Sequence, residues 1–262
     1  GKIEKALFDV SIDKDFKITD YKANGSIKNI NGAIKNNFIL KNISFNFIID
    51  KNLTLINSVN ARYKGIFISN GSINLQREEE INIKGNFNSQ FDLKEYQLNE
   101  LFEKVKFFKE NKIKTKGSLL HSFYLKMNNN FKIIDYDYKS SGNISEAEAV
   151  LKNDYTNKLI NKSIKKILFK KIKFETNFNI QNNNSLILDG LYSYKDLNYN
   201  KFKFKQKQNK EIKNFFIDLN LTENINIDVI NFRLDSVNKS NLKVEYNVRN
   251  KKSIFKSIVF TE

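Results

Sequence analysis

The chain has 262 residues, room for one large or two ordinary domains, and 45 Lys and Arg against 29 Asp and Glu give it a net charge of +16. It has no Cys, which excludes disulfides and thiolate metal sites, and its single His leaves nucleophilic triads and His-rich metal sites little to draw on. Pro and Trp are also absent, while 23 Phe and 11 Tyr supply bulky apolar area.

Apolar and polar residues alternate from one end of the chain to the other. Ile43-Ser44-Phe45-Asn46-Phe47, Leu53-Thr54-Leu55, Ile81-Asn82-Ile83, the run from Lys173 to Phe178 and the run from Ile225 to Val229 all show it. Side chains on a strand point alternately to opposite faces, so each segment presents one apolar face and one rich in Lys and Asn. Residues 3–12, 16–30, 34–49, 53–62, 65–77 and 80–92 read as successive antiparallel strands. Turns are expected at Asp13-Lys14-Asp15, Asn31-Gly32, Asn36-Asn37, Asp50-Lys51-Asn52, Lys64-Gly65 and Glu78-Glu79. Connections this short predict a meander, with neighbours in sequence paired in the sheet.

One segment departs from this period. Leu98, Leu101, Phe102, Val105 and Phe108 follow helical spacing and predict an amphipathic helix over 94–110. Strands resume at 113–127 and 131–146, and Leu159, Ile160, Ile164 and Ile167 allow a second short helix near 155–166. Further strands are expected at 168–181, 184–194, 198–207, 212–221, 225–234, 242–249 and 253–260. Glycine followed by a small or polar and then an apolar residue recurs, in Gly25-Ser26-Ile27, Gly32-Ala33-Ile34, Gly71-Ser72-Ile73, Gly85-Asn86-Phe87, Gly117-Ser118-Leu119 and Gly142-Asn143-Ile144. Glycine inside a strand marks a bulge, a bend or a close backbone approach, so a long sheet that curls is expected. The fold class is therefore mostly β: a long curled antiparallel meander with one or two short amphipathic helices.

No catalytic constellation accompanies these elements. His121 lies in a strand beside Leu119 and Phe123 and reads as a packed or edge histidine. Asp135 with Asp137, and Glu146 with Glu148, share strand faces as paired carboxylates do in glycosidases, but they sit among lysines and read as solvated charges. No enzyme activity, metal or cofactor is expected. The densest basic run, Lys165, Lys166, Lys170, Lys171 and Lys173, is interleaved with Ile167, Leu168, Phe169, Ile172 and Phe174. It reads first as a solvated face, next as a contact for anionic lipid headgroups and last as a contact for nucleic acid, which is not an expected partner. No apolar run reaches the roughly 20 residues of a membrane helix, and no signal peptide opens the chain.

The best local pattern spans residues 24–127. It contains Asn24-Gly25-Ser26-Ile27-Lys28-Asn29, the strand pair 40–50 and 53–62, Gly71-Ser72-Ile73-Asn74-Leu75 and Ile83-Lys84-Gly85-Asn86-Phe87. The helix through Leu101 and Phe102 follows, and then Lys116-Gly117-Ser118-Leu119. This order of elements resembles the AsmA-like superfamily, including its TamB-type members. The resemblance implies one continuous segment, residues 1–262, of a longer periplasmic protein anchored through residues outside this chain. It also implies a taco-like β-groove with an apolar floor that carries phospholipid between the inner and outer membranes of a Gram-negative envelope. The expected floor is Phe45, Phe47, Leu55, Ile83, Phe87, Phe123, Phe174, Phe178, Leu188, Ile217, Ile227 and Val229, with headgroups near the basic run. The same alternation also fits a structural or adhesin β-sandwich module and, less well, an outer-membrane β-barrel.

Overall fold

The computed structural model describes residues 1–35, 38–157, 160–194, 198–221, 225–227, 232–234, 240–250 and 252–261. The protein is mostly β. The strands are β1 (Lys2–Ile12), β2 (Ile18–Lys35), β3 (Phe38–Asp50), β4 (Leu53–Tyr63), β5 (Ile66–Arg77) and β6 (Ile81–Leu93), then, past the helical segment, β7 (Lys112–Met127) and β8 (Ile133–Asn157). Next come β9 (Ile160–Asn179), β10 (Ser185–Ser193), β11 (Asn200–Asn209), β12 (Ile212–Leu221), β13 (Ile225–Ile227), β14 (Phe232–Leu234), β15 (Ser240–Arg249) and β16 (Lys252–Thr261). Fourteen of them form one antiparallel sheet, in sequence order from β1 to β12 and then β15 and β16, and the sheet is not closed. Phe, Ile, Tyr, Val and Thr suit a pleated half-buried surface, and the absence of Pro leaves every ladder its donors. The chain divides into two compact units, Gly1–Phe91 with Ser118–Ser140, and Asp92–Gly117 with Ser141–Glu262.

Side chains close the turns as their residue types require. The Asp13 carboxylate accepts from the Asp15 and Lys17 amides at 2.8 and 2.9 Å, and that of Asp50 accepts from Asn52 and Leu53 at 2.9 and 2.7 Å. Lys64 and Gly65 both have positive φ, 43° and 88°, the conformation of a tight two-residue hairpin. Asn31-Gly32, expected as a turn, instead lies within β2, and Asn36-Asn37 lies outside the described residues.

Bulges and glycines fall close together: Gly71 lies in the bulge with Asn70, and Gly190 lies at the register shift opposite Lys171. Left-handed Asn29, Asn42, Ser58, Asn70 and Lys171 occupy the bulges, with φ between 52° and 56°. Side chains satisfy two of them, since the Asn29 amide donates to Ser44 Oγ and the Asn42 amide to Asn31 Oδ1, each at 3.1 Å. The glycines make room. A Cβ on Gly25 would lie 2.8 Å from the Phe47 ring, one on Gly71 would lie 2.8 Å from Val59 Cβ, and one on Gly85 would overlap the Phe123 ring.

The expected helix over 94–110 is two short helices, α1 (Glu95–Leu101) and α2 (Lys106–Glu110). After α1 the chain tightens: the Val105 amide donates to the Phe102 carbonyl at 2.8 Å and the Phe108 amide to that of Val105 at 3.1 Å. Six residues turn an α-helix through about 600°, which puts Phe102 and Phe108 on different sides. The break lets their rings stack, with centroids 4.6 Å apart. The described residues of 155–166 are strand and not helix, since β8 runs to Asn157 and β9 begins at Ile160; Leu159 lies outside the described residues. The apolar spacing in 160–167 is strand sequence. Within the strand expected over 225–234 the described residues form two three-residue strands, β13 and β14, which pair with each other.

Candidate functional site

Cross-strand register shows which side chains share a face. In the first unit Ala6, Gly25, Phe47, Ile56, Ile73 and Gly85 stand opposite one another in turn across β1 to β6. The adjacent row on that face is Phe8, Ala23, Ile49, Thr54, Leu75 and Ile83. Phe45 lies beside Phe47 with ring centroids 6.3 Å apart, and Phe123 covers Gly85. Phe87 stacks on His121 at 4.3 Å. Phe45, Phe47, Ile83, Phe87 and Phe123 therefore line one apolar face.

Leu55 does not join them. It stands opposite Ile48 and Asn74, in a row that continues to Lys84 on the other face. Its neighbour Thr54 faces inward, 8% exposed, with its hydroxyl accepting from Arg77 Nη1 at 3.1 Å. Pairing partners set the phase of a strand, and here they override the polarity of Leu53-Thr54-Leu55.

A polar ladder crosses this apolar face. Ser89 Oγ is 2.7 Å from His121 Nε2, and His121 Nδ1 is 2.7 Å from the Tyr138 hydroxyl. Ser89 and His121 are buried, 6% and 8% exposed. Burial lowers the His121 pKa and raises that of Tyr138, so the imidazole is held neutral. A neutral imidazole between two hydroxyls satisfies both ring nitrogens, which lets three polar groups sit in an apolar surface.

In the second unit Phe174, Leu188, Phe204, Ile217, Val244 and Ile258 form one row across β9, β10, β11, β12, β15 and β16. Three expected floor residues, Phe174, Leu188 and Ile217, thus share one row. Phe178 follows in the same alternation near the end of β9 and is exposed. Ile172, Tyr192 and Phe202 form a buried cluster, where the Tyr192 hydroxyl donates to the Asn220 carbonyl at 2.8 Å and burial pushes its pKa up. The Phe215 and Tyr246 rings stack at 4.7 Å. Ile227 belongs to β13, outside the large sheet, and Val229 lies outside the described residues.

Each unit presents this face as one layer of sheet. The chain exposes 18156 Å². A compact body of 30.8 kDa would expose roughly 12000 Å², and two compact bodies of half that mass roughly 14000 Å² together.

The lysines of the basic run have different neighbours. Lys166 pairs with Glu148 at 3.1 Å, and the Lys170 ammonium lies 4.7 Å from the centre of the Tyr199 ring. Lys171 is the bulge residue, Lys173 stands opposite Asp189, and Lys165 is exposed. Of the paired carboxylates, Asp137 meets Lys139 at 3.4 Å and Glu148 meets Lys166. Among the described residues no group of His, Asp and Glu is placed to hold a metal, and no helix is long and apolar enough to cross a membrane.

No family model matches the chain, and no curated protein or solved structure matches it.

Proposed function

We propose that the apolar face of each unit binds phospholipid acyl chains and passes them along the sheet. On this reading the protein is an AsmA-like, TamB-type component of lipid transport between the inner and outer membranes of a Gram-negative envelope. It works in the periplasm, anchored through residues outside this chain, and catalyses no reaction. The observation that carries the proposal is the pair of contiguous apolar rows, each on a single-layered sheet. Burial of hydrocarbon against such a row is worth about 0.8 kcal/mol per CH₂, without preferred direction, so a tail can move along the row without crossing a large barrier. The family assignment rests on the Gly-x-apolar segments and on the helical segment followed by Gly117-Ser118-Leu119.

Photo-crosslinking residues introduced at Phe47, Phe123 and Phe204, with Leu55 on the opposite face as control, test the reading in cells. Phospholipid adducts at the first three positions and none at Leu55 are the expected result. A protein adduct at those three positions would make the apolar face a docking surface for a partner. Absence of lipid from both the crosslinks and the gently purified protein would also overturn the proposal.

A further inference from the structure

On the opposite face of the first unit, a notch of about 540 Å³ lies beside the β4–β5 hairpin. Lys41 and Arg62 line it with Ile39 and Phe67, and no carboxylate is among its described lining residues. Lys41 stands directly opposite Arg62 across β3 and β4, and Arg62 opposite Phe67 across β4 and β5. The Arg62 guanidinium lies 5.9 Å from the centre of the Phe67 ring. Lys64, in the turn, places its ammonium 5.7 Å from the Tyr63 ring centre.

Like charges directly opposite one another destabilise a sheet. Two other strand cations face acids on both sides: Lys22 stands opposite Asp9 and Asp50, and Lys203 opposite Asp189 and Asp218, whereas Arg249 at the end of β15 faces Lys252. Where Lys2 faces Lys28, Glu4 pairs with Lys28 at 2.7 Å. At Lys41 and Arg62 no described acid lining the notch plays that part. A planar guanidinium fork matches two oxygens of a phosphate, and an ammonium beside it takes a third.

We propose that this notch binds a phosphate ester, with Arg62 and Lys41 on the phosphate oxygens and Ile39 and Phe67 against the carbon of the ester. The proposal does not depend on acyl chains occupying the other face.

The test follows the Arg62 side-chain NMR signal during titration with glycerol 3-phosphate, using Arg77 as internal control. Arg62 shifts saturably and Arg77 does not. Lys41→Gln and Arg62→Gln each weaken binding by about fivefold to tenfold, the loss of one charge-assisted contact at an open site, and Arg62→Lys falls between. Without phosphate, Lys41→Gln raises the unfolding midpoint by relieving the repulsion. Parallel titrations with inorganic phosphate and with dihexanoyl phosphatidylglycerol below its micelle concentration identify the source. Equal affinity for all three, inorganic phosphate included, would overturn the ester contact at Ile39 and Phe67, and tighter binding of the lipid identifies a headgroup. Equal shifts at Arg62 and Arg77, or unchanged affinity in both Gln variants, would mean that a chain of charge +16 merely attracts anions, and would overturn the proposal. The lipid crosslinks report on the other face, so either result can fail without the other.

Discussion

At the scale of single residues, His121 shows how far a sequence can be read. A lone histidine between Leu119 and Phe123 is legible as a packed side chain, and it is buried. Its partners are not legible, because Ser89 is 32 residues away and Tyr138 17, and only strand pairing joins them. The ladder makes stability depend on pH. Burial lowers the folded pKa, so above about pH 6.5 both states carry a neutral imidazole and the stabilisation is complete. Below that the unfolded chain takes up a proton that the folded one resists, and stability falls until the lowered folded pKa is passed. Thermal unfolding between pH 8 and pH 5 should show this decline, and His121→Phe should flatten it. That variant should also lose about 1–3 kcal/mol at pH 8, because the Ser89 and Tyr138 hydroxyls lose their partner.

At the scale of elements, the strands are legible and their phase is not. Period-two alternation locates β3, β6 and β9, and Asp13, Asp50 and Lys64-Gly65 mark turns that form. Each bulge, however, shifts the apolar residues between odd and even positions while keeping them on one face. Ile27 gives way to Ile30, Ile56 to Val59 and Phe169 to Ile172 around Asn29, Ser58 and Lys171. An i, i+3 apolar step with Asn or Ser between is therefore a bulge signal within a strand, and it resembles a helical step. Asn70, left-handed in its bulge, provides a test: Asn70→Val should cost about 1–2 kcal/mol and Asn70→Gly almost nothing in urea denaturation. Register provides another. Thr54→Lys should destabilise by more than about 2 kcal/mol, placing a charge on the buried side, whereas Leu55→Lys should cost less than about 1 kcal/mol. Equal costs would contradict the assigned phase.

At the scale of the whole molecule, the apolar rows and the exposed area belong together. An unfolded chain of 30.8 kDa exposes roughly 45000 Å², so folding to 18156 Å² buries about an eighth less than two compact units of the same total mass. Denaturant sensitivity scales with the area exposed on unfolding. The summed urea m-value should therefore lie about an eighth below that of two compact domains of this total length. An m-value equal to the compact one would show the apolar faces to be covered in solution.

Composition and alternation by themselves determined that this chain is a sheet, since Pro-free, Phe- and Ile-rich segments with polar residues between them have few other ways to bury apolar area. They also determined most turns and most members of the apolar face. Only the tertiary structure decided which of two adjacent residues faces inward, as at Thr54 and Leu55, and which ring fills the space above a glycine, as Phe123 does at Gly85. The physical reason is symmetry. An alternating strand looks the same from either face after a shift of one residue, and only the strands paired on each side break that equivalence.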